Sequence, residues 1–205
     1  MSRLRCSARA ISALNRYQAG GLRYIGATDV DQCGLTTGFQ SPFLTPLVTK
    51  TLKKRTAACI TGAHRSGTSM VARLLHACRL DLGPESDLMP PAQDNPDGFW
   101  ENLRFVAMND ELLNELGGAW DLPPRSARFA EKRFDALRGR AGLLVSAFSR
   151  STTWGWKDPR NSLTLPFWRT VVPKLRTIIV VRNPLEVAYS LQKRNGVSLH
   201  LALSL

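Results

Sequence analysis

Residues 57–75, AACITGAHRSGTSMVARLL, constrain the fold of this chain more tightly than any other stretch of its sequence. An apolar run leads into a loop bracketed by Gly62 and Gly67, and an amphipathic helix pattern follows the loop. The spacing of the two glycines matches loops whose backbone N–H groups and following helix N-terminus surround a phosphate. The segment therefore predicts a strand, an anion-binding loop and a helix in direct succession.

The end of this loop departs from the pattern of nucleotide hydrolases. Thr68 stands where those proteins carry the lysine that reaches the β- and γ-phosphates, Ser69 follows it, and the nearest strong cation is Arg65. A guanidinium and two hydroxyls suit a shorter anionic group that is bound without a metal. The alternative is a turn that binds nothing, and the joint occurrence of strand, glycines, cation and hydroxyls argues against it.

A second segment, residues 176–190 (RTIIVVRNPLEVAYS), combines a buried strand with a helix that begins after an Asn-Pro turn. Arg182 lies at the end of the predicted strand, and Ser190 follows eight residues later on the predicted helix. Taken alone, these two residues would be a surface charge and an ordinary helix serine. Their significance depends on the first loop.

Both segments resemble those of sulfotransferases, which move a sulfuryl group from 3′-phosphoadenosine 5′-phosphosulfate to an acceptor hydroxyl or amine. HRSGTS is similar to the loop that binds the 5′-phosphosulfate in that family. The Arg and the Ser eight residues after it are similar to the pair that grips the 3′-phosphate. The resemblance implies that seven residues bind the donor: Arg65, Ser66, Gly67, Thr68, Ser69, Arg182 and Ser190.

A third segment, residues 154–160 (WGWKDPR), resembles the WxWKDPR stretch of bacterial sulfotransferases. A lysine there balances the charge that develops during transfer, so the resemblance implies that Lys157 stabilises the departing oxygen. The alternative is that Lys157 is a solvated charge. Trp154 and Trp156 are interpreted as packing residues.

The acceptor hydroxyl must also lose a proton, and the sequence offers one carboxylate for this task. Cytosolic small-molecule sulfotransferases use a histidine in a Lys-x-His segment, which this chain lacks after Lys157. Other branches use a glutamate after the first βα unit, and the resemblance implies Glu101, at the start of a predicted helix through Leu116. The alternative is a glutamate placed in the first helical turn by the helix dipole.

The remaining histidines and cysteines predict neither a metal site nor a disulfide framework. The three histidines and four cysteines show no CxxC or HxxxH spacing. His64 lies in the loop and could touch the acceptor, although a loop histidine is more often a bystander. We interpret His76 as half-buried packing and His200 as part of the terminal tail. Reduced, structural thiols favour a cytoplasmic protein.

Length and element order predict one α/β domain with a P-loop-like, three-layer fold, in which helices flank a central parallel sheet. Ligands of such sheets bind at the carboxyl ends of the strands. We expect a poorly ordered extension over residues 1–55 and a sulfotransferase-like domain over 56–205. Strands are predicted at 57–61, 153–156 and 177–181, and helices at 68–79, 101–116, 130–149 and 184–194.

Both ends of the chain leave alternatives open. The opening residues are Arg-rich and resemble a transit peptide in composition. They could equally be a disordered arm or an upstream extension. No apolar run reaches the roughly 18 residues of a membrane span, so none is predicted. The chain stops about ten residues after the last predicted helix, whereas sulfotransferases generally continue. It is therefore expected to be either a compact member or a C-terminally truncated fragment.

The charge distribution favours an anionic ligand. Residues 1–57 carry nine Lys/Arg and two acids, a net of +7, and subtracting this from the total of +12 leaves +5 for the rest. Such an excess steers anions toward a cleft. Basic residues are not interleaved with aromatics as in a nucleic-acid stripe, so we expect a small-molecule or glycan acceptor and no nucleic acid. A P-loop kinase or hydrolase and a non-catalytic relative remain the competing functions.

Overall fold

The computed structural model describes residues 55–126, 128–148 and 151–205. All but the last residue of the predicted N-terminal extension lies outside the described residues. The strands are β1 (Thr56–Gly62), β2 (Thr153–Lys157) and β3 (Arg176–Val180). The helices are α1 (Thr68–Ala77), α2 (Leu103–Glu115), α3 (Asp135–Ser146), α4 (Asn161–Val171), α5 (Pro184–Asn195) and α6 (Leu199–Ser204), with 3₁₀ turns at Glu85–Asp87 and Lys132–Phe134.

The three strands form one parallel sheet in the order β2-β1-β3. Helices connect successive strands, as parallel pairing requires, and the predicted α/β fold is confirmed. The chain passes from β1 to β2 on one side and then crosses to β3 on the other side. The strand order therefore reverses at β1, and the crevice at the carboxyl end of β1 is where ligands of such sheets bind.

Strand β1 is buried on both faces, which explains its continuous apolar sequence. Ala57 and Cys59 pack into a large core with α2, α3 and α4, while Ala58 and Ile60 pack into a smaller core with α1. Helices thus cover both faces of the sheet. The predicted packing role of Trp156 is confirmed, since its ring stacks on that of Phe105 at 4.4 Å.

Most predicted elements begin and end within two residues of the observed boundaries, with one clear exception. The helix predicted at 130–149 begins only at Asp135. Phe129 is drawn into the core, and its carbonyl accepts a hydrogen bond from Arg138, so the chain before Asp135 is not helical. Two histidine interpretations need correction as well: His76 packs against Trp100 but is exposed rather than half-buried, and His200 lies within α6 rather than in a tail.

Helix α6 packs on α5 in a small cluster of its own that includes Val187, Leu191 and Ala202. Within the described ranges, no helix combines the length and the apolar character that crossing a membrane requires.

Candidate active site

The two loop glycines are needed for different physical reasons. A Cβ on Gly62 would lie 2.2 Å from the carbonyl oxygen of Val180, so only glycine lets β3 approach β1 this closely. Gly67 has φ +98° and caps α1, a conformation that favours glycine. Between them, Arg65 adopts φ 66°, which is uncommon for a residue with a side chain. Backbone strain of this kind clusters at ligand-binding positions.

Arg65 joins the two segments that the sequence predicts to bind the ends of one ligand. Its Nε donates a hydrogen bond to Ser190 Oγ at 3.0 Å, across 125 positions of sequence. Its backbone carbonyl accepts a hydrogen bond from Arg182 Nη1 at 3.3 Å. Its guanidinium also lies 3.5 Å from a carboxylate oxygen of Asp94. The carboxyl ends of β1 and β3 therefore contribute to one site.

A cavity of about 240 Å³ opens at this edge of the sheet. Of the nine predicted site residues, eight line it, and the exception is Ser66, whose side chain is buried and whose N–H donates to the carbonyl of Ala63. The lining residues are His64, Arg65, Gly67, Thr68, Ser69, Met70, Asp94, Asn95, Phe99, Glu101, Lys157, Pro159, Arg182, Ser190 and Arg194.

Lys157 and Glu101 form a buried ion pair in the wall of this cavity. Lys157 is the last residue of β2, and its Nζ donates to Glu101 Oε1 at 2.6 Å and to the carbonyl of Phe99 at 3.1 Å. The side chains are only 2% and 7% exposed. The alternative that Lys157 is a solvated charge was therefore wrong.

Glu101 does not belong to the helix that follows it. Asn102 caps α2, because its side-chain oxygen accepts the N–H of Arg104 at 3.1 Å, and the helix begins at Leu103. The predicted start at residue 101 was wrong, and so was the alternative that Glu101 is a first-turn glutamate. The preceding residue, Trp100, has φ 62°, and this turn directs the chain toward Lys157.

A buried polar network holds the segment after β2. Asp158 is fully buried, and its carboxylate accepts hydrogen bonds from Asn109 Nδ2 at 2.8 Å and from the N–H of Arg160 at 2.9 Å. Burial raises the pKa of the Asp158 carboxyl above its ordinary value, against the opposing charge of Arg160. Arg160 also pairs with Asp110. These contacts fix the backbone next to Lys157.

Comparison with known proteins identifies the family of this arrangement. The sequence model of the sulfotransferase family matches residues 58–200, most of the chain. The chain belongs to the sulfotransferase family. The matched range contains all nine predicted site residues. No curated protein and no solved structure gives a significant match.

Arg194 is a residue of this sulfotransferase site that the sequence interpretation did not identify. Arg194 lines the cavity from the end of α5, one helical turn after Ser190, and that four-residue spacing is the signal that could have found it. Burial lowers the pKa of the Arg194 guanidinium, and repulsion from Arg65 adds to the effect. His64, for which the sequence left an acceptor contact or a bystander role open, also lines the cavity.

The lining of the sulfotransferase cavity carries an excess of positive charge. Arg65, Lys157, Arg182 and Arg194 outnumber Asp94 and Glu101 by two. Like charges gathered in a cleft favour the binding of an anion. No cluster of three or more potential metal-ligating side chains occurs among residues 55–126, 128–148 and 151–205.

Proposed function

We propose that this sulfotransferase transfers a sulfuryl group from 3′-phosphoadenosine 5′-phosphosulfate to an acceptor hydroxyl. The observation that carries the proposal is the contact of Arg65 with Ser190 and Arg182 at the rim of one cavity. One ligand with an anionic group at each end accounts for why two such distant segments supply cations and hydroxyls to one place. Sulfotransferases generally use this donor.

In this proposal, the loop after β1 binds the 5′-phosphosulfate. A Cβ on Gly67 would meet nothing within 4 Å, so there is open space at the N-terminus of α1, where backbone N–H groups favour an anion. Arg65, Thr68 and Ser69 line that space. Ser66 is proposed to shape the loop, because its N–H is already used by Ala63.

Arg182 and Ser190 are proposed to bind the 3′-phosphate. A phosphate there would replace the contacts that Arg182 now makes with Glu186, at 2.8 Å, and that Ser190 makes with Arg65. The cavity of about 240 Å³ lies below the roughly 300–1,000 Å³ of sites that enclose a whole drug-sized ligand. We therefore place the charged groups of the donor inside the cavity and its adenine outside.

Lys157 and Glu101 are proposed to carry the chemistry. The acceptor oxygen forms a bond to sulfur, the bond from sulfur to the bridging phosphate oxygen breaks, and the hydroxyl proton passes to Glu101. Lys157 stabilises the negative charge that develops on the bridging oxygen. Because Glu101 Oε1 accepts from Lys157, the other carboxylate oxygen is proposed to take the proton. We propose a small hydroxylated acceptor, with a carbohydrate as the first candidate.

Calorimetry with adenosine 3′,5′-bisphosphate tests the donor site. Arg65→Ala and Arg182→Ala each remove charge-assisted hydrogen bonds, so each should weaken binding by about 1.5–3 kcal/mol, roughly 10- to 150-fold. Arg140→Ala is the matched control, because Arg140 is an exposed arginine that pairs with Glu111 at 2.6 Å and does not line the cavity. Its affinity should equal that of the unmodified protein.

Three outcomes would contradict the proposal. Undiminished affinity in both arginine variants would remove the donor assignment. A thermal shift with Mg-ATP and none with the bisphosphate would favour a kinase or hydrolase. Bisphosphate binding without transfer of radiolabelled sulfuryl to any member of a hydroxyl acceptor panel would indicate a non-catalytic relative.

A further inference from the structure

His64 is the one residue of the cavity lining that carries an unused buried polar atom. Among the described residues, its Nε2 has no hydrogen-bond partner although the atom is buried. A buried polar group left unsatisfied costs about 1–3 kcal/mol. Native structures rarely tolerate this cost without a reason, and a ligand that completes the hydrogen bond is one such reason. His64 also lines the cavity, so a ligand bound there is a candidate for the missing partner.

The imidazole ring of His64 packs against the indole ring of Trp120. The ring of Trp120 lies 4.7 Å from that of His64, centroid to centroid, at a tilt of 52°. The guanidinium of Arg194 lies 5.8 Å from the centroid of the same indole ring. The backbone of the turn that carries Trp120 is closed by a hydrogen bond of 2.8 Å from the N–H of Ala119 to the carbonyl of Leu122. His64, Trp120 and Arg194 thus form one packed wall.

His64 is an uncharged polar group in a cavity whose lining also carries several charged groups. Burial lowers the pKa of its imidazole to about 3, and the surrounding cations add to the effect; they are Arg160, Arg194, Lys157 and Arg65. Neutral imidazole can either donate or accept a hydrogen bond at Nε2. This versatility suits an uncharged hydroxyl, whereas the guanidinium and ammonium groups of the site suit anions.

We propose that His64 Nε2 hydrogen-bonds the acceptor hydroxyl and holds it against the sulfuryl group, with Trp120 as a positioning residue for the ring. The inference rests on the proposed function and adds an acceptor-binding residue to it. Lys157 engages one carboxylate oxygen of Glu101, so His64 supplies the hydroxyl with a second contact in addition to the free oxygen. The group recognised is an uncharged hydroxyl.

The test compares His64→Ala with His64→Gln, since the Gln Nε2 can occupy the place of the imidazole Nε2. The readout is kcat/KM for the best hydroxyl acceptor of the panel or, if none reacts, release of inorganic sulfate to water. Loss of one hydrogen bond should lower this value about 10-fold in His64→Ala, and His64→Gln should recover most of it. Bisphosphate affinity should change less than about twofold in both, because the donor contacts lie elsewhere.

Trp120→Leu and His76→Ala complete the design. Trp120→Leu should raise the acceptor KM more than it lowers kcat, since a mobile ring binds the hydroxyl less well but leaves the reacting groups intact. His76 is the matched control, because its ring packs against Trp100 at 5.2 Å but does not line the cavity. Its variant should behave as the unmodified protein.

Full kcat/KM in His64→Ala would overturn the inference, as would an equal loss in His64→Gln and His64→Ala. Bisphosphate affinity measured in each variant reports whether that variant is folded. If His64→Ala does not fold, comparing kcat/KM of His64→Gln with that of Trp120→Leu tests the same inference. Failure of the unmodified protein to bind the bisphosphate would instead remove the proposed function. The two failures are therefore distinguishable.

Discussion

Breaking the buried pair of Glu101 and Lys157 should destabilise the protein far more than removing both partners. At 2.6 Å and an effective dielectric of about 20, the gross attraction is about 6 kcal/mol. Desolvation offsets much of this attraction, but removing one partner leaves a buried charge, which costs about 3–5 kcal/mol. Glu101→Leu should be the worse variant, because it leaves Lys157 in a cavity with an excess of positive charge.

The double variant Glu101→Leu/Lys157→Met should lie within about 1–2 kcal/mol of the unmodified protein, because well-packed apolar residues replace a buried ion pair at little cost. The assay is urea denaturation of all four proteins, from which the free energy of unfolding and the coupling energy are obtained. The exposed pair of Glu111 and Arg140 has the same 2.6 Å separation and is the matched control. Its coupling should stay below about 1 kcal/mol. Equal couplings for the two pairs would refute the argument from burial.

Two further predictions concern His64 and the glycines. Because the pKa of His64 is lowered from 6.5 to about 3, the unfolded chain binds the proton more tightly, so the unmodified protein should lose stability relative to His64→Gln as the pH falls from about 7 to 4. The expected difference is about 1–3 kcal/mol in urea denaturation, and a pH-independent difference would contradict it. Gly62→Ala should cost about 3 kcal/mol or more, since its Cβ would clash with Val180, whereas Gly139→Ala, on an open helix surface, should stabilise by about 0.5–1 kcal/mol. Thermal denaturation of both variants would check this, and a similar Tm in the two would argue against it.

The sequence predicted the fold correctly where several local signals coincide. The apolar run, the two glycines and the amphipathic helix of residues 57–75 predicted β1, the loop and α1 nearly to the residue. The helix predicted at 130–149 failed at its start, because burial of Phe129 in the core competes with helix formation there. Local preference is a weak guide wherever a tertiary contact can outweigh it.

The sequence predicted the site only in part, for a related reason. Residue type and spacing singled out Lys157 and Glu101, yet nothing in the sequence indicated that they contact each other 56 positions apart. For His64, the sequence left an acceptor contact and a bystander role open, because a loop histidine carries no periodic signal. Its burial and its unused Nε2 exist only once Trp120, from a distant turn, packs against it.

The sequence by itself determined the chemistry of the groups and the local turns that present them: a cation and hydroxyls after one strand, an arginine and a serine after another, and a lysine at the end of a third. Only the tertiary structure decided that these groups face one cavity, because parallel pairing brings the carboxyl ends of all three strands to one edge. The tertiary structure also decided which charged groups are buried away from solvent. Burial is a property of the packed molecule: it raises the pKa of Asp158, lowers the pKa of His64 and leaves Lys157 paired with Glu101 away from solvent.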